Sequence, residues 1–161
     1  MPEAGDGETR TERINRELIE LLNEIRVGLP GVQFLFAFLL VVPFQQGGSK
    51  TTPFQHDVYY VALVSAAVSC ILLIAPAAQH RVLFRQHDKE RLLRRSSRSA
   101  FAGLMVLALA ISAALLLVVD VFIGHWQAWL TSGVVALILI WWWAAVPLWH
   151  RAHNEMDTLG E

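Results

Sequence analysis

The chain is short of cysteine, of net charge and of catalytic motifs. Cys70 is the single cysteine in 161 residues, which excludes an internal disulfide and any zinc site built on clustered cysteines. The 13 Lys and Arg residues nearly balance the 14 Asp and Glu residues, so no bulk charge attracts nucleic acid. The sequence contains no phosphate-binding loop, no dinucleotide-binding glycine motif and no Ser-His-Asp pattern. We therefore expect neither an enzyme nor a cofactor.

Most of the chain consists of long apolar segments that lack Asp, Glu, Lys and Arg. They cover residues 27–44, 58–78, 100–119 and 126–149. A helix of about 20 apolar residues crosses the ~30 Å hydrocarbon core of a bilayer. The sequence thus predicts an all-α integral membrane four-helix bundle over residues 29–149, followed by a cytoplasmic tail at 150–161. Because segment 27–44 is shorter and contains Pro30 and Pro43, a re-entrant element is the alternative to a first crossing.

The distribution of basic residues favours four crossings. Twelve of the 13 Lys and Arg residues precede the first segment, lie between the second and third, or follow the fourth, and only Lys50 lies elsewhere. Basic residues collect on the cytoplasmic side of membrane proteins. We therefore predict a multi-pass protein of the bacterial plasma membrane with both termini in the cytoplasm.

The N-terminal region divides into a tail and a helix. Residues 1–10 are rich in Gly, Pro and acidic residues, which predicts a disordered tail. Over residues 11–28, Leu and Ile recur at helical spacing and Glu residues occupy the other face, which predicts an amphipathic interfacial helix. We expect this helix to end where Gly28 and Pro30 interrupt it, and its acidic face to pack against the basic hairpin at 79–98.

Two groups of residues are candidates for function. In the hairpin, basic side chains that suit anionic lipid or a partner protein are Arg81, Arg85, Lys89, Arg91, Arg94 and Arg95. The alternative for this group is that it only determines topology. A candidate ion or proton site consists of Asp120 with His125 and, within the first span, Gln33. The pairs His80/His87 and His150/His153 have no third ligand nearby in sequence, so no metal site is expected.

Two stretches resemble a known family. LLNEIRVGLPGVQ at 21–33, the following FLFAFLLVVPF, and APAAQHRVLFRQHDKERL at 75–92 resemble an actinobacterial family of small four-span membrane proteins of unknown function. The similarity covers about residues 12–125. Some members are labelled sodium:proton antiporters, which implies ion transport, but the resemblance implies no catalytic or binding residues.

Two functions follow as hypotheses. The first is ion transport of the sodium:proton antiporter type. We expect a homo-oligomer, because the four short spans of one chain enclose too little protein for alternating access. The absence of a carboxylate at mid-depth counts against proton antiport. The alternative is a non-catalytic structural or regulatory membrane subunit that binds lipid or a partner protein through its cytoplasmic helix and basic hairpin.

Overall fold

The computed structural model describes residues 10–44, 51–83 and 89–146, and all regular structure in these ranges is helical. The elements are α1 (Arg10–Val41) with a 3-10 turn (Val42–Phe44), α2 (Pro53–Leu83), α3 (Lys89–Phe122), and α4 (His125–Ile140) with a π-helical turn (Trp141–Ala145). Helices α1, α2 and α3, and α4 together with its π-helical turn, each contain a stretch long and apolar enough to cross a membrane. The prediction of an all-helical protein is confirmed over the described residues, and so is the prediction of four helices apolar enough to span a membrane. The predicted tail at 150–161 lies outside the described residues, and so does the predicted tail at 1–10 except for Arg10, with which α1 begins.

The four helices alternate in direction along the chain. Ser69 of α2 contacts Gly103 of α3, and Ser99 of α3 contacts Leu72 of α2, so these two helices run antiparallel. The bundle therefore has two distinct ends. The arginine end contains the start of α1 and the start of α3. The Asp120 end is the opposite one, where α3 turns into α4.

The first helix is longer than the sequence predicted. The expected end near Pro30 is wrong, because α1 continues through this proline to Val41 as one helix. Pro30 removes only the N–H that would bind the carbonyl of Arg26. Ending the helix inside an apolar layer would instead leave several backbone groups without partners. One missing hydrogen bond costs less, so residues 11–28 form the first half of α1 and not a separate helix.

Helices α2 and α3 form the centre of the bundle. Small side chains lie fully or almost fully buried in a cluster that includes Ala62, Ala66, Ala110 and Ala113. Small residues let helix backbones approach closely, which is how helices associate in lipid. Of the most apolar 18-residue stretch of each helix, 44% is buried in α3 but only 11% in α1 and in α4. The outer faces of α1 and α4 are therefore available to lipid or to another protein.

Serine hydroxyls link the helices through backbone carbonyls. The bonds run from Ser69 to Gly103 O at 2.8 Å, from Ser99 to Leu72 O at 2.7 Å, and from Ser132 to Ser112 O at 2.7 Å. The second bond has a particular role, because Pro76 lies inside α2 and lacks the N–H that would bind Leu72 O. The hydroxyl of Ser99 supplies the missing donor from the neighbouring helix.

Candidate functional site

The Asp120 end contains a carboxylate that is held by two side chains. Asp120 Oδ1 lies 2.7 Å from His125 Nδ1, and Asp120 Oδ2 accepts a hydrogen bond of 2.8 Å from Gln55 Nε2. The Asp120 side chain is 8% exposed, whereas the His125 side chain is 64% exposed. The predicted pair of Asp120 and His125 is thus brought together, with the carboxylate enclosed and the imidazole open to the surroundings.

Gln55 is positioned by the start of α2. Thr52 precedes the helix, and its hydroxyl accepts a hydrogen bond from Gln55 N at 3.2 Å, while Gln55 Oε1 accepts one from Thr52 N at 3.1 Å. This reciprocal arrangement is a capping box, and Pro53 occupies the first helical position, where no donor is needed. The cap fixes the Gln55 amide so that its NH₂ group points at Asp120. Sequence reasoning missed Gln55, although the Thr-Pro-Phe-Gln pattern that signals the capping box was readable.

His125 is positioned by the turn between α3 and α4. Gly124 has φ of +150°, a conformation that favours glycine, and its N–H binds Val119 O at 3.1 Å. This sharp turn places the first residue of α4 beside the last turn of α3. Trp129 Nε1 donates to His125 Nε2 at 3.3 Å, which assigns the imidazole proton to Nδ1, facing Asp120.

An aromatic ring from α2 completes the cluster. Phe54 lies edge-on to His125 with ring centroids 5.0 Å apart, and its centroid is 6.1 Å from that of Trp129. The rings contact one another, so they form packing and not an open ligand cavity. Each oxygen of Asp120 is held by one side chain, Oδ1 by His125 and Oδ2 by Gln55. The cluster can hold a negative charge and exchange a proton through the exposed imidazole.

Gln33, the third residue of the predicted ion site, lies elsewhere. Its side chain is exposed on α1. Tyr59, one turn beyond Gln55 on α2, donates a hydrogen bond from its hydroxyl to Leu39 O of α1, which fixes the level of Leu39 near the Asp120 end. Gln33 precedes Leu39 by six residues, or about two turns of helix, and so lies ~10 Å further from the Asp120 end than Leu39 does. The buried Ser69 lies between α2 and α3 and not beside Gln33. These polar residues therefore do not line one path through the bundle.

The arginine end contains a cleft with side chains of both charge signs. Its volume is about 510 Å³, and its lining comes from Glu17, Glu20, Leu21 and Glu24 of α1 and from Leu93, Arg94, Ser97 and Arg98 of α3. Beneath it, Leu18 and Ile25 bury the other face of α1. The acidic side of α1 thus faces the basic start of α3 across an open space.

Several of these charged groups have no ion-pair partner in the part of the chain that the structure describes. Arg13 and Glu17 pair along α1 at 3.0 Å, and both are at least 40% exposed. No ion pair within 4.0 Å joins Glu20, Glu24 or Arg98 to another described residue. Within the part of the chain that the structure describes, Glu20, Glu24 and Arg98 therefore present charges of both signs that no ion pair neutralises. A ligand can neutralise these charges.

Only part of the predicted basic group lies at this cleft. Arg94 lines it, whereas Arg95, one residue later, is exposed and is not among the lining residues. The side chains of Arg81, Arg85, Lys89 and Arg91 lie outside the described residues. Arg98, which the sequence analysis did not single out for binding, is the second basic residue of the cleft. Among the described residues, no group of three or more His, Cys, Asp or Glu side chains is placed to hold a metal ion.

Comparison with known proteins gives one finding. The model of DUF6328, a family of unknown function, matches residues 7–147 and so covers all four helices. No curated protein and no solved structure matches the chain.

Proposed function

We propose, from the premise that this chain belongs to the DUF6328 family of unknown function, that it is a non-catalytic membrane subunit that binds a phospholipid headgroup. The observation that carries the proposal is the cleft at the arginine end, where Glu20 and Glu24 of α1 face Arg98 of α3 and none of the three forms an ion pair with another described residue. A site that binds by charge needs no catalytic residues. The proposal therefore specifies the second hypothesis, a structural or regulatory membrane subunit, by naming a phospholipid headgroup as its ligand.

The distribution of basic residues supports a cytoplasmic position for this cleft. The last charged residues before the apolar stretches of α1 and α3 are Arg26 and Arg98, so the cleft lies at the level of the headgroups of one leaflet. The positive-inside rule supports the assignment of that leaflet to the cytoplasmic side of a bacterial plasma membrane. Accessibility tags at Lys50 and Arg91 test this orientation, because only the tag at Lys50 should react with a membrane-impermeant reagent from outside.

The charge balance of the cleft selects the kind of headgroup. Three glutamates and two arginines line it, and Glu17 is already paired with Arg13. A purely anionic headgroup would therefore leave Glu20 and Glu24 without a positive partner. An aminophospholipid carries a phosphate for Arg98 and an ammonium group for Glu24. Arg binds phosphate with directed hydrogen bonds, and carboxylates accept from ammonium groups. We therefore favour phosphatidylethanolamine over the anionic lipid that the basic hairpin alone predicts.

Lipid retention tests the proposal. The full chain is purified in detergent with equal amounts of phosphatidylethanolamine, phosphatidylglycerol and phosphatidylcholine, and retained lipids are counted by native mass spectrometry. We expect preferential retention of phosphatidylethanolamine and a several-fold loss in Arg98→Gln and Glu24→Gln. Arg95→Gln is the matched control, since it removes the same charge outside the cleft. Equal retention of the three lipids, or equal effects of the Arg95 and Arg98 variants, would contradict the proposal.

Ion transport is the second proposal, and the enclosed Asp120 carboxylate beside the open His125 ring favours it. The resemblance to actinobacterial proteins labelled sodium:proton antiporters points the same way. In proteoliposomes, transport predicts Na⁺- or K⁺-dependent proton flux that Asp120→Asn reduces. Flux no greater than that of empty liposomes at every pH tested would end this proposal without affecting headgroup binding.

A further inference from the structure

Gln33 is a polar side chain that the bundle leaves without a partner. It lies seven residues beyond Arg26 and eleven before Phe44, or about 10 Å and 16 Å along the helix axis, near the middle of the first apolar stretch. Its side chain is exposed, and no hydrogen bond joins its amide to any described residue. Hydrocarbon chains offer neither donors nor acceptors, so an amide that faces them is strongly unfavourable.

The residues around Gln33 form a continuous exposed seam on α1. The seam residues follow one another at alternating steps of four and three, and all are exposed: Arg26, Pro30, Gln33, Ala37 and Leu40. This spacing is that of a helix face that packs lengthwise against a second helix. Ala37, the residue next to Gln33 along the seam, is small enough to let two helices approach closely.

We infer that this seam packs against the same seam of a second copy of the chain, with the two Gln33 amides bonded to each other. The carboxamide has two donors and one acceptor oxygen, so it is complementary to itself. Both copies insert with the same orientation, and a two-fold axis along the membrane normal brings identical residues together at equal depth. A second copy therefore supplies an amide at the required level.

The inference is independent of headgroup binding, because the seam contains no residue of the cleft. Interhelical hydrogen bonds of polar side chains in membranes have coupling energies that correspond to about 3- to 30-fold in an equilibrium constant. We therefore expect Gln33→Leu, which keeps the volume of the side chain, to weaken the dimer by about 3- to 30-fold. Energy transfer between labelled copies, measured over a range of protein-to-lipid ratios, gives this value. Phe38→Leu, at an exposed apolar position off the seam, is the control and should leave association unchanged.

Disulfide cross-linking tests the geometry separately. In a Cys70→Ser background, Ala37→Cys should form an oxidised dimer in vesicles, whereas Gly31→Cys, exposed on the other side of α1, should not. The inference is overturned if the chain stays monomeric at all lipid ratios, if Gln33→Leu associates like the parent, or if Gly31→Cys cross-links as efficiently as Ala37→Cys. Cross-linking through Ala37→Cys together with weaker association of Gln33→Leu supports it.

Discussion

The bond from Ser99 to Leu72 gives the sharpest test of how this bundle tolerates a proline within a spanning helix. Pro76 leaves the carbonyl of Leu72 without its usual donor four residues ahead, and the hydroxyl of Ser99 reaches that oxygen from α3 at 2.7 Å. Ser99→Ala removes the donor and leaves a partly buried carbonyl without one. We expect Ser99→Ala to lower the free energy of unfolding, because Pro76 has no N–H that could bind Leu72 O in place of the lost hydroxyl.

The magnitude follows from the two halves of a double-mutant cycle. A buried acceptor without a donor costs about 1–3 kcal/mol, and hydrogen bonds between membrane helices contribute about 0.6–2 kcal/mol, so we expect Ser99→Ala to cost about 1–2 kcal/mol. In a Pro76→Ala background the new N–H at this position binds Leu72 O, and the cost should fall below about 0.5 kcal/mol. The cavity left by Pro76→Ala is present in both members of that background and cancels.

The assay is reversible unfolding in mixed detergent micelles with rising dodecyl sulfate, followed by the fluorescence of the six tryptophans. Ser112→Ala is the matched control, since the Ser112 hydroxyl binds Ala108 O of its own helix at 2.7 Å. Its cost should be the same in both backgrounds. If Ser99→Ala costs as much in the Pro76→Ala background as in the parent chain, the hydroxyl does not compensate for the proline and the reasoning is refuted.

Three glycine substitutions give further predictions for the same unfolding assay. A Cβ at Gly103 would lie 2.9 Å from the buried Leu73 side chain, so Gly103→Ala should destabilise by about 1–3 kcal/mol. A Cβ at Gly133 meets nothing within 4 Å, so Gly133→Ala should be neutral or stabilise by up to about 1 kcal/mol; destabilisation would indicate a contact on that face of α4. Gly124→Ala forces alanine into φ of +150° and should cost about 1–3 kcal/mol, whereas an unchanged midpoint would mean that the turn relaxes.

The helical architecture was largely predictable because it depends on composition and length. Four uncharged apolar segments require helices in lipid, where each backbone group must bind within its own segment. The helix ends were less predictable. Local signals at Pro30 indicated a break, but the environment around α1 favours a continuous helix to Val41. Propensity is a local quantity, whereas the cost of an unpaired backbone group depends on the surroundings.

The candidate sites were predictable only where their residues are close in sequence. Asp120 and His125 are five residues apart across a short turn, so their contact follows from local geometry. Gln55 is 65 residues from Asp120, and no local pattern shows that α2 begins beside the end of α3. The cleft at the arginine end likewise depends on the register of α1 against α3.

Composition and the order of charges alone determined that this chain forms four helices apolar enough to span a membrane and that the arginines at the starts of α1 and α3 lie at the same end. Those properties depend on the free energy of transferring each segment from water to lipid, and this free energy is a sum over the segment's own residues. Which polar groups meet was decided only by packing: Ser99 with the carbonyl freed by Pro76, Gln55 with Asp120, and Gln33 with no partner inside the described bundle. A hydrogen bond requires two atoms within about 3 Å, and the sequence of one segment does not contain the position of another.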